Sequence, residues 1–361
     1  MNPIQALTEK DVSIWLDTLS RDLIEDGGLA ALMRELAVGG VTSNPTIFAK
    51  AIDGSERYDE QLRRELDAGV RDPRELFLAL ALEDVRRAAA LMQPLHEATH
   101  GRHGFVSFEV TPDLAYDSDA TIAQALELWD RLDAPNAMIK VPATEPGVGA
   151  IEELTALGVN VNVTLLFAVE RYEQVIEAYL RGLERRVRRG EPRRGIASVA
   201  SFFVSRVDAK ADARLAADSP LRGRIGIANA RVAYARWAER FRGPRWERLA
   251  GGGASVQRPL WASTATKDPS YRDVMYLEQL ALPGSILTVP EPTLRAFADH
   301  GDPAPAERRD RDPALTAVDL PEITAELERE GVEAFRASYG QLLDAIEARA
   351  GLLRGAEPLV A

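Results

Sequence analysis

The sequence predicts a single closed (β/α)8 barrel, the TIM-barrel class of α/β fold, with extra helices at the C-terminal end. Three observations carry that expectation. About eight short strand-like runs alternate with helical runs, which argues for a parallel sheet. Eight such units in a chain of this length suit a closed barrel. An open doubly wound sheet would usually place a glycine-rich phosphate loop after its first strand, whereas here the first strand runs into Asp17-Thr18-Leu19, with no glycine. The expected division is residues 1–300 as the barrel domain, 301–317 as a polar loop, and 318–361 as a helical extension packed on the outside.

The first strand covers residues 13–17, and alternation puts Ser13, Trp15 and Asp17 on one face. Leu23, Leu29, Leu32 and Leu36 have helical spacing and predict one helix over 20–36, capped by Ser20 or Asp22 and ended by Gly39-Gly40. The second strand is Val41-Thr42-Ser43-Asn44, stopped by Pro45 and followed by a loop through Asp53-Gly54. Helices fill about 55–93, with a fresh start at Pro73. In the third strand, 105–110, Val106, Phe108 and Val110 share one face and Ser107 and Glu109 the other. A helix over 118–132 leads to the fourth strand, and another follows over 147–157. In the fifth strand, 159–165, the valines and Leu165 face one way and Asn160, Asn162 and Thr164 the other, as when one side packs on helices and the other borders a polar interior. A charged helix over 169–189 precedes the sixth strand, 196–204, and helices run on to about 241. Gly251-Gly252-Gly253 lacks the lysine and hydroxyl residue of a nucleotide loop and is a plain connection. The seventh strand is 259–264, with a helix over 269–280; the eighth is 285–289, with a short helix over 292–298. Residues 318–352 form one or two amphipathic helices.

The fourth strand holds the most telling residue. Asn136-Ala137-Met138-Ile139-Lys140-Val141-Pro142-Ala143-Thr144 is apolar on almost every side except at Lys140. The chain uses arginine nearly everywhere else; its lysines are Lys10, Lys50, Lys140, Lys210 and Lys267. Lysine is seldom fully buried without a partner or a task. Arginine cannot lose its proton and attack a carbonyl, so an amine is wanted here. The plain alternative is a lysine reaching from a strand end to water.

Composition narrows the partners. A net charge of −12 argues against a nucleic-acid-coating surface. With no cysteine there is no disulfide, thiolate chemistry or cysteine-bound metal. No apolar run reaches membrane-spanning length and the N-terminus lacks a signal pattern, so the expectation is a cytoplasmic protein that binds no membrane.

Asp17, Asn44, Glu109, Lys140, Asn162, Thr164, Ser201 and Ser263 lie on or near the C-terminal ends of different strands. In a barrel those ends ring one mouth, where active sites sit. A desolvated amine can attack a ketone and form an imine, an electron sink for carbon–carbon cleavage. Such chemistry needs a carboxylate or water to shuttle protons, and Glu109 and Asp17 qualify. Asparagines suit a polyhydroxylated substrate. Arg206, just past the sixth strand, is placed for a phosphate.

Several stretches together resemble the transaldolases, and the longer bacterial subfamily in particular. They are Trp15-Leu16-Asp17, Thr42-Ser43-Asn44-Pro45-Thr46, Val106-Ser107-Phe108-Glu109-Val110, Met138-Ile139-Lys140-Val141-Pro142-Ala143-Thr144, Asn160-Val161-Asn162-Val163-Thr164-Leu165-Leu166-Phe167, Ser201-Phe202-Phe203-Val204-Ser205-Arg206-Val207-Asp208 and Trp261-Ala262-Ser263-Thr264. They occur in family order over most of the chain. The resemblance implies a cofactor-free pentose-phosphate-pathway enzyme that moves a dihydroxyacetone unit from sedoheptulose 7-phosphate to glyceraldehyde 3-phosphate. It implies that Lys140 forms the Schiff base and that Glu109 is an acid/base working through a water held by Thr164. Asp17 would handle the carbinol proton. Asn44, Asn162 and Ser201 would bind substrate, and Arg206 and Ser263 phosphate. Many members carry an arginine shortly after the serine of the seventh strand; here Lys267 is the cation available. Fructose-6-phosphate aldolases, the alternative reading, resemble this fold but carry a tyrosine where this chain has Phe203, which favours transfer over simple cleavage.

His96-Glu97-Ala98-Thr99-His100 matches the zinc-hydrolase pattern H-E-x-x-H, with His103 as a third ligand. Gly101 is expected to end the helix after His100, at the N-terminal end of the third strand and opposite the mouth. An exposed helix terminus is the simpler reading, and no metal is expected. The assembly expected is a monomer or a homodimer.

Overall fold

The computed structural model describes residues 2–304, 306, 309 and 311–355; parts of the polar loop and the last residues of the expected extension lie outside the described residues. Eight parallel strands close into a barrel in chain order: β1 (Ser13–Leu16), β2 (Val38–Val41), β3 (Phe105–Glu109), β4 (Ala137–Pro142), β5 (Val161–Leu166), β6 (Ser198–Phe203), β7 (Gln257–Ala262) and β8 (Ile286–Val289). The ring shuts where β8 pairs with β1, from Ser13 opposite Ile286 to Leu16 opposite Val289.

Strand alternation sorts the core into two bodies. Ile14, Leu16, Val106, Phe108, Ile139, Val141, Val161 and Val163 face outward and pack with the surrounding helices. Trp15, Phe105, Met138, Val199, Leu260 and Ile286 fill the barrel interior. Among the described residues, no helix is long and apolar enough to cross a membrane.

The structure corrects several local expectations. Gly39 and Gly40 do not end a helix; they lie inside β2, which stops at Val41. A Cβ on Gly40 would fall 2.4 Å from the Trp15 ring, so the indole occupies the space a side chain would need. The expected single helix over 20–36 is two, Arg21–Glu25 and Gly28–Leu36, separated at Gly27 with φ 75°; Ser20 caps the first. After β2 the chain forms a helix, Pro45–Asp53, instead of a loop. Asn44 caps it and Pro45 takes the first position, where its missing N–H is harmless.

Leu165 departs from the alternation expected of it. It has φ 53°, and the register of β5 against β6 shifts between Val163 and Leu166. This bulge adds a residue to one strand. It turns Leu165 away from the outward valines and into the inner cluster, with Phe167 and Phe203.

The C-terminal segment is one helix, Leu320–Gly355. Its second half packs against the outer helices, with Tyr339, Leu342, Ile346 and Ala350 in the outward cluster. The segment passes from the end of the helix Ser205–Asp212, where Lys210 and, just past the helix, Arg214 pair with Glu322, Glu326 and Glu330, across the strand ends to the helix Pro45–Asp53, where Thr46 donates to Ser338 at 3.0 Å. Arg349, further along, donates to Asp59 and to the Ile52 carbonyl.

Candidate active site

Lys140 stands on β4 between Glu109 on β3 and Asn162 on β5, each directly opposite it in register. Even alternation of three neighbouring strands therefore brings the three polar side chains to one level inside the barrel. Lys140 is 5% exposed. Its Nζ donates to Glu109 Oε2 at 3.2 Å and to the Ser43 carbonyl at 3.0 Å. The amine thus points inward, in contact with the carboxylate and away from bulk solvent.

Burial raises the Glu109 carboxyl above the usual glutamate range, against the pull of Lys140. Burial raises Asp17 as well, against Lys140, the Thr42 hydroxyl and Arg206. Asp17 accepts from Thr42 at 2.8 Å, and Thr42 bonds in turn to Thr288 at 2.7 Å, which fixes the carboxylate over the β1–β8 seam.

A cavity of about 180 Å³ opens above the amine. Asp17, Asn44, Lys140, Thr164, Ser201, Arg206, Ser263 and Lys267 all line it, with Phe203 and Phe335. Asn44 spends its carbonyl oxygen on the Ile47 amide, which leaves its NH2 for the cavity. Thr164 Oγ1 is buried with no protein partner and is the hydroxyl best able to hold a water. Ser263 sits at φ 55°, outside the regions non-glycine residues favour, and its hydroxyl meets that of Ser205 at 2.8 Å. Such strain is typically retained at functional sites.

Arg206 stacks its guanidinium 5.2 Å from the centre of the Phe203 ring, and burial lowers it from the usual arginine range. Neither Arg206 nor Lys267 has a carboxylate partner among the described residues, so two cations stand open at one side of the cavity.

Two expected site residues are placed differently. Glu109 touches Lys140 without lining the cavity itself. Asn162 is fully buried; it donates to Ser107 at 2.9 Å and accepts from Ser201 at 2.7 Å. One amide hydrogen remains to it. Sequence reasoning missed Ser43, whose carbonyl holds the amine, Ser107 beneath Asn162, Thr288, and Phe335. Both serines lay inside quoted motifs, but the Ser43 contact is made by a backbone carbonyl, which carries no residue-type signal, and the Ser107 hydroxyl meets Asn162 only across the barrel.

The histidine pattern does not assemble. The helix Pro73–Ala98 ends before His100, which has φ 51° and is off its axis. His96 is not an exposed terminus either: it packs edge-on to Phe105 at 4.8 Å and bonds to the His103 carbonyl. His103 is held near a pKa of about 4 by burial and the neighbouring arginines. Among the described residues, no group of three or more His, Cys, Asp or Glu is placed to hold a metal ion.

An amine in contact with a carboxylate at the C-terminal mouth of a (β/α)8 barrel, with open cations beside it, is the layout of a barrel enzyme for a carbonyl substrate bearing an anionic group. Comparison with known proteins makes the class specific. The chain belongs to the transaldolase/fructose-6-phosphate aldolase family, whose profile matches residues 14–346. It is 48% identical over 358 residues to a transaldolase of Acidothermus cellulolyticus, covering 96% of each chain. It is 48% identical over 355 residues to a transaldolase of Saccharopolyspora erythraea, covering 95% of this chain and 96% of that one. A transaldolase of a Parafrankia species is 46% identical over 363 residues, covering 97% and 98%.

Proposed function

We propose that the chain is a transaldolase that carries a dihydroxyacetone unit on Lys140, from sedoheptulose 7-phosphate to glyceraldehyde 3-phosphate. The observation that carries this reading is the Lys140 amine, 5% exposed and 3.2 Å from the Glu109 carboxylate, at the floor of a cavity with free cations beside it.

The amine attacks the donor's keto carbon and water leaves, forming the imine. Glu109 moves protons in these steps through a water held by Thr164, since its own oxygen lies beside the amine. Asp17 takes the proton of the carbinol whose carbon–carbon bond breaks, which releases erythrose 4-phosphate and leaves a three-carbon enamine. The enamine attacks the acceptor aldehyde, and hydrolysis of the new imine frees fructose 6-phosphate. Asn44 and Ser201 bind substrate hydroxyls, and Asn162 orients Ser201. Arg206 and Ser263 hold the phosphate, with Lys267 as the second cation. Phe203 offers no hydroxyl, so the proton relay rests on Glu109 and Thr164.

Borohydride added with fructose 6-phosphate should fix the three-carbon fragment covalently to the peptide containing Lys140. Labelling of another residue, or none, rejects the reading. The same donor assayed with and without an acceptor aldehyde separates transfer from free aldolase cleavage.

A further inference from the structure

Among the described residues, Phe335 is the one side chain of the C-terminal helix that reaches the cavity. It is 6% exposed and clusters with Leu165, Phe167 and Phe203 at the strand ends. Its place is built with care. One helical turn earlier, Gly331 passes so close to β5 that a Cβ would fall 2.9 Å from Leu165 Cδ2. A glycine inside a helix costs about 1 kcal/mol relative to alanine. Gly340 and Gly351 of the same helix have open space where a Cβ would stand, so unlike Gly331 they mark no close approach. The bulge at Leu165 supplies the other half of that contact. Arg336 then ties the next position to the Pro112 and Asp113 carbonyls after β3.

From this geometry we propose that Phe335 keeps bulk water off the reactive carbon of the fragment held on Lys140, so that the fragment is transferred and not lost. The proposal rests on the Schiff-base reading above. Loss begins when the enamine carbon takes a proton from solvent: the C=C electron pair forms the C–H bond and the nitrogen lone pair closes the C=N bond of the ketimine. Water then adds to the C=N carbon, the C–N bond breaks, and dihydroxyacetone departs with the Lys140 amine restored. In transfer, the same electron pair forms the bond to the acceptor aldehyde, whose oxygen takes the proton. An apolar lid opposes the first path and leaves the second open to an acceptor that fills the cavity.

The test is the ratio of free dihydroxyacetone to transferred product at fixed donor and acceptor, with deuterium incorporation from D2O marking the protonated carbon. Phe335→Ala should raise the ratio about tenfold, and Phe335→Leu should stay within about threefold of the parent. Phe335→Val, which keeps a buried apolar side chain but removes the ring from the cavity, should raise it as well, and this variant decides the matter if Phe335→Ala does not fold. An unchanged ratio in the folded variants, with Lys140 still labelled by borohydride, overturns this proposal alone. Absence of labelling in the parent protein overturns it together with the reading it rests on.

Discussion

Asp208 lies two residues past Arg206 on the helix Ser205–Asp212, which flanks the cavity. It is 1% exposed, and its Oδ1 accepts from the Gly226 amide at 2.7 Å. Burial, with Asp212 nearby, pushes its pKa up to about 7 from the ordinary 3.8, against that amide. The folded chain therefore keeps a proton that the unfolded chain gives up. This group's contribution to stability is full below pH 3.8, declines as the pH rises, and is lost once the pH passes about 7. At about 1.36 kcal/mol per pH unit the whole window amounts to roughly 4 kcal/mol. Between pH 5 and pH 8 it amounts to about 3 kcal/mol. Asp208→Asn keeps the acceptor for Gly226 and removes the titration. Urea unfolding of both proteins at the two pH values isolates the effect, because every other titrating group is common to both. The variant should gain about 3 kcal/mol relative to the parent on going from pH 5 to pH 8. A difference that does not move with pH would refute the reasoning.

Glu109→Gln keeps the size of the side chain and removes the base. Steady-state kinetics should show kcat reduced 100-fold or more, on the order of what a positioned general base supplies, while ligand-induced protection of the fold persists. Arg206→Ala should raise KM for phosphorylated donors roughly 10- to 100-fold, the range of a lost charge-assisted contact. Lys267→Ala, at an exposed position, should change KM by only about two- to fivefold. Equal effects of the two would refute this ranking. Gly40→Ala forces a methyl into the Trp15 ring and should cost about 3 kcal/mol in unfolding free energy; a neutral result would mean that the indole has somewhere else to go.

Much of the barrel was legible because its signal is local. Val106 and Phe108 against Ser107 and Glu109, and Val161 and Val163 against Asn162 and Thr164, show a two-residue period that any pleated strand with one apolar side must show. Helix caps were partly legible for the same reason: Ser20 behaves as its residue type suggests. Asn44 escaped because a strand ending there and a helix starting there read alike until Gly39 and Gly40 are seen to belong to β2.

By itself, then, the sequence determined the strand count, the inner and outer face of most strands, and the burial of Lys140 within an apolar strand, because backbone geometry ties those features to neighbours in the chain. Only the tertiary structure decided that Lys140 meets Glu109 and the Ser43 carbonyl, residues 31 and 97 positions away. It alone turned Leu165 inward, set Gly40 beneath Trp15, and carried Phe335 over the mouth. These outcomes depend on which surfaces closure of the ring brings together, and no single segment contains that information.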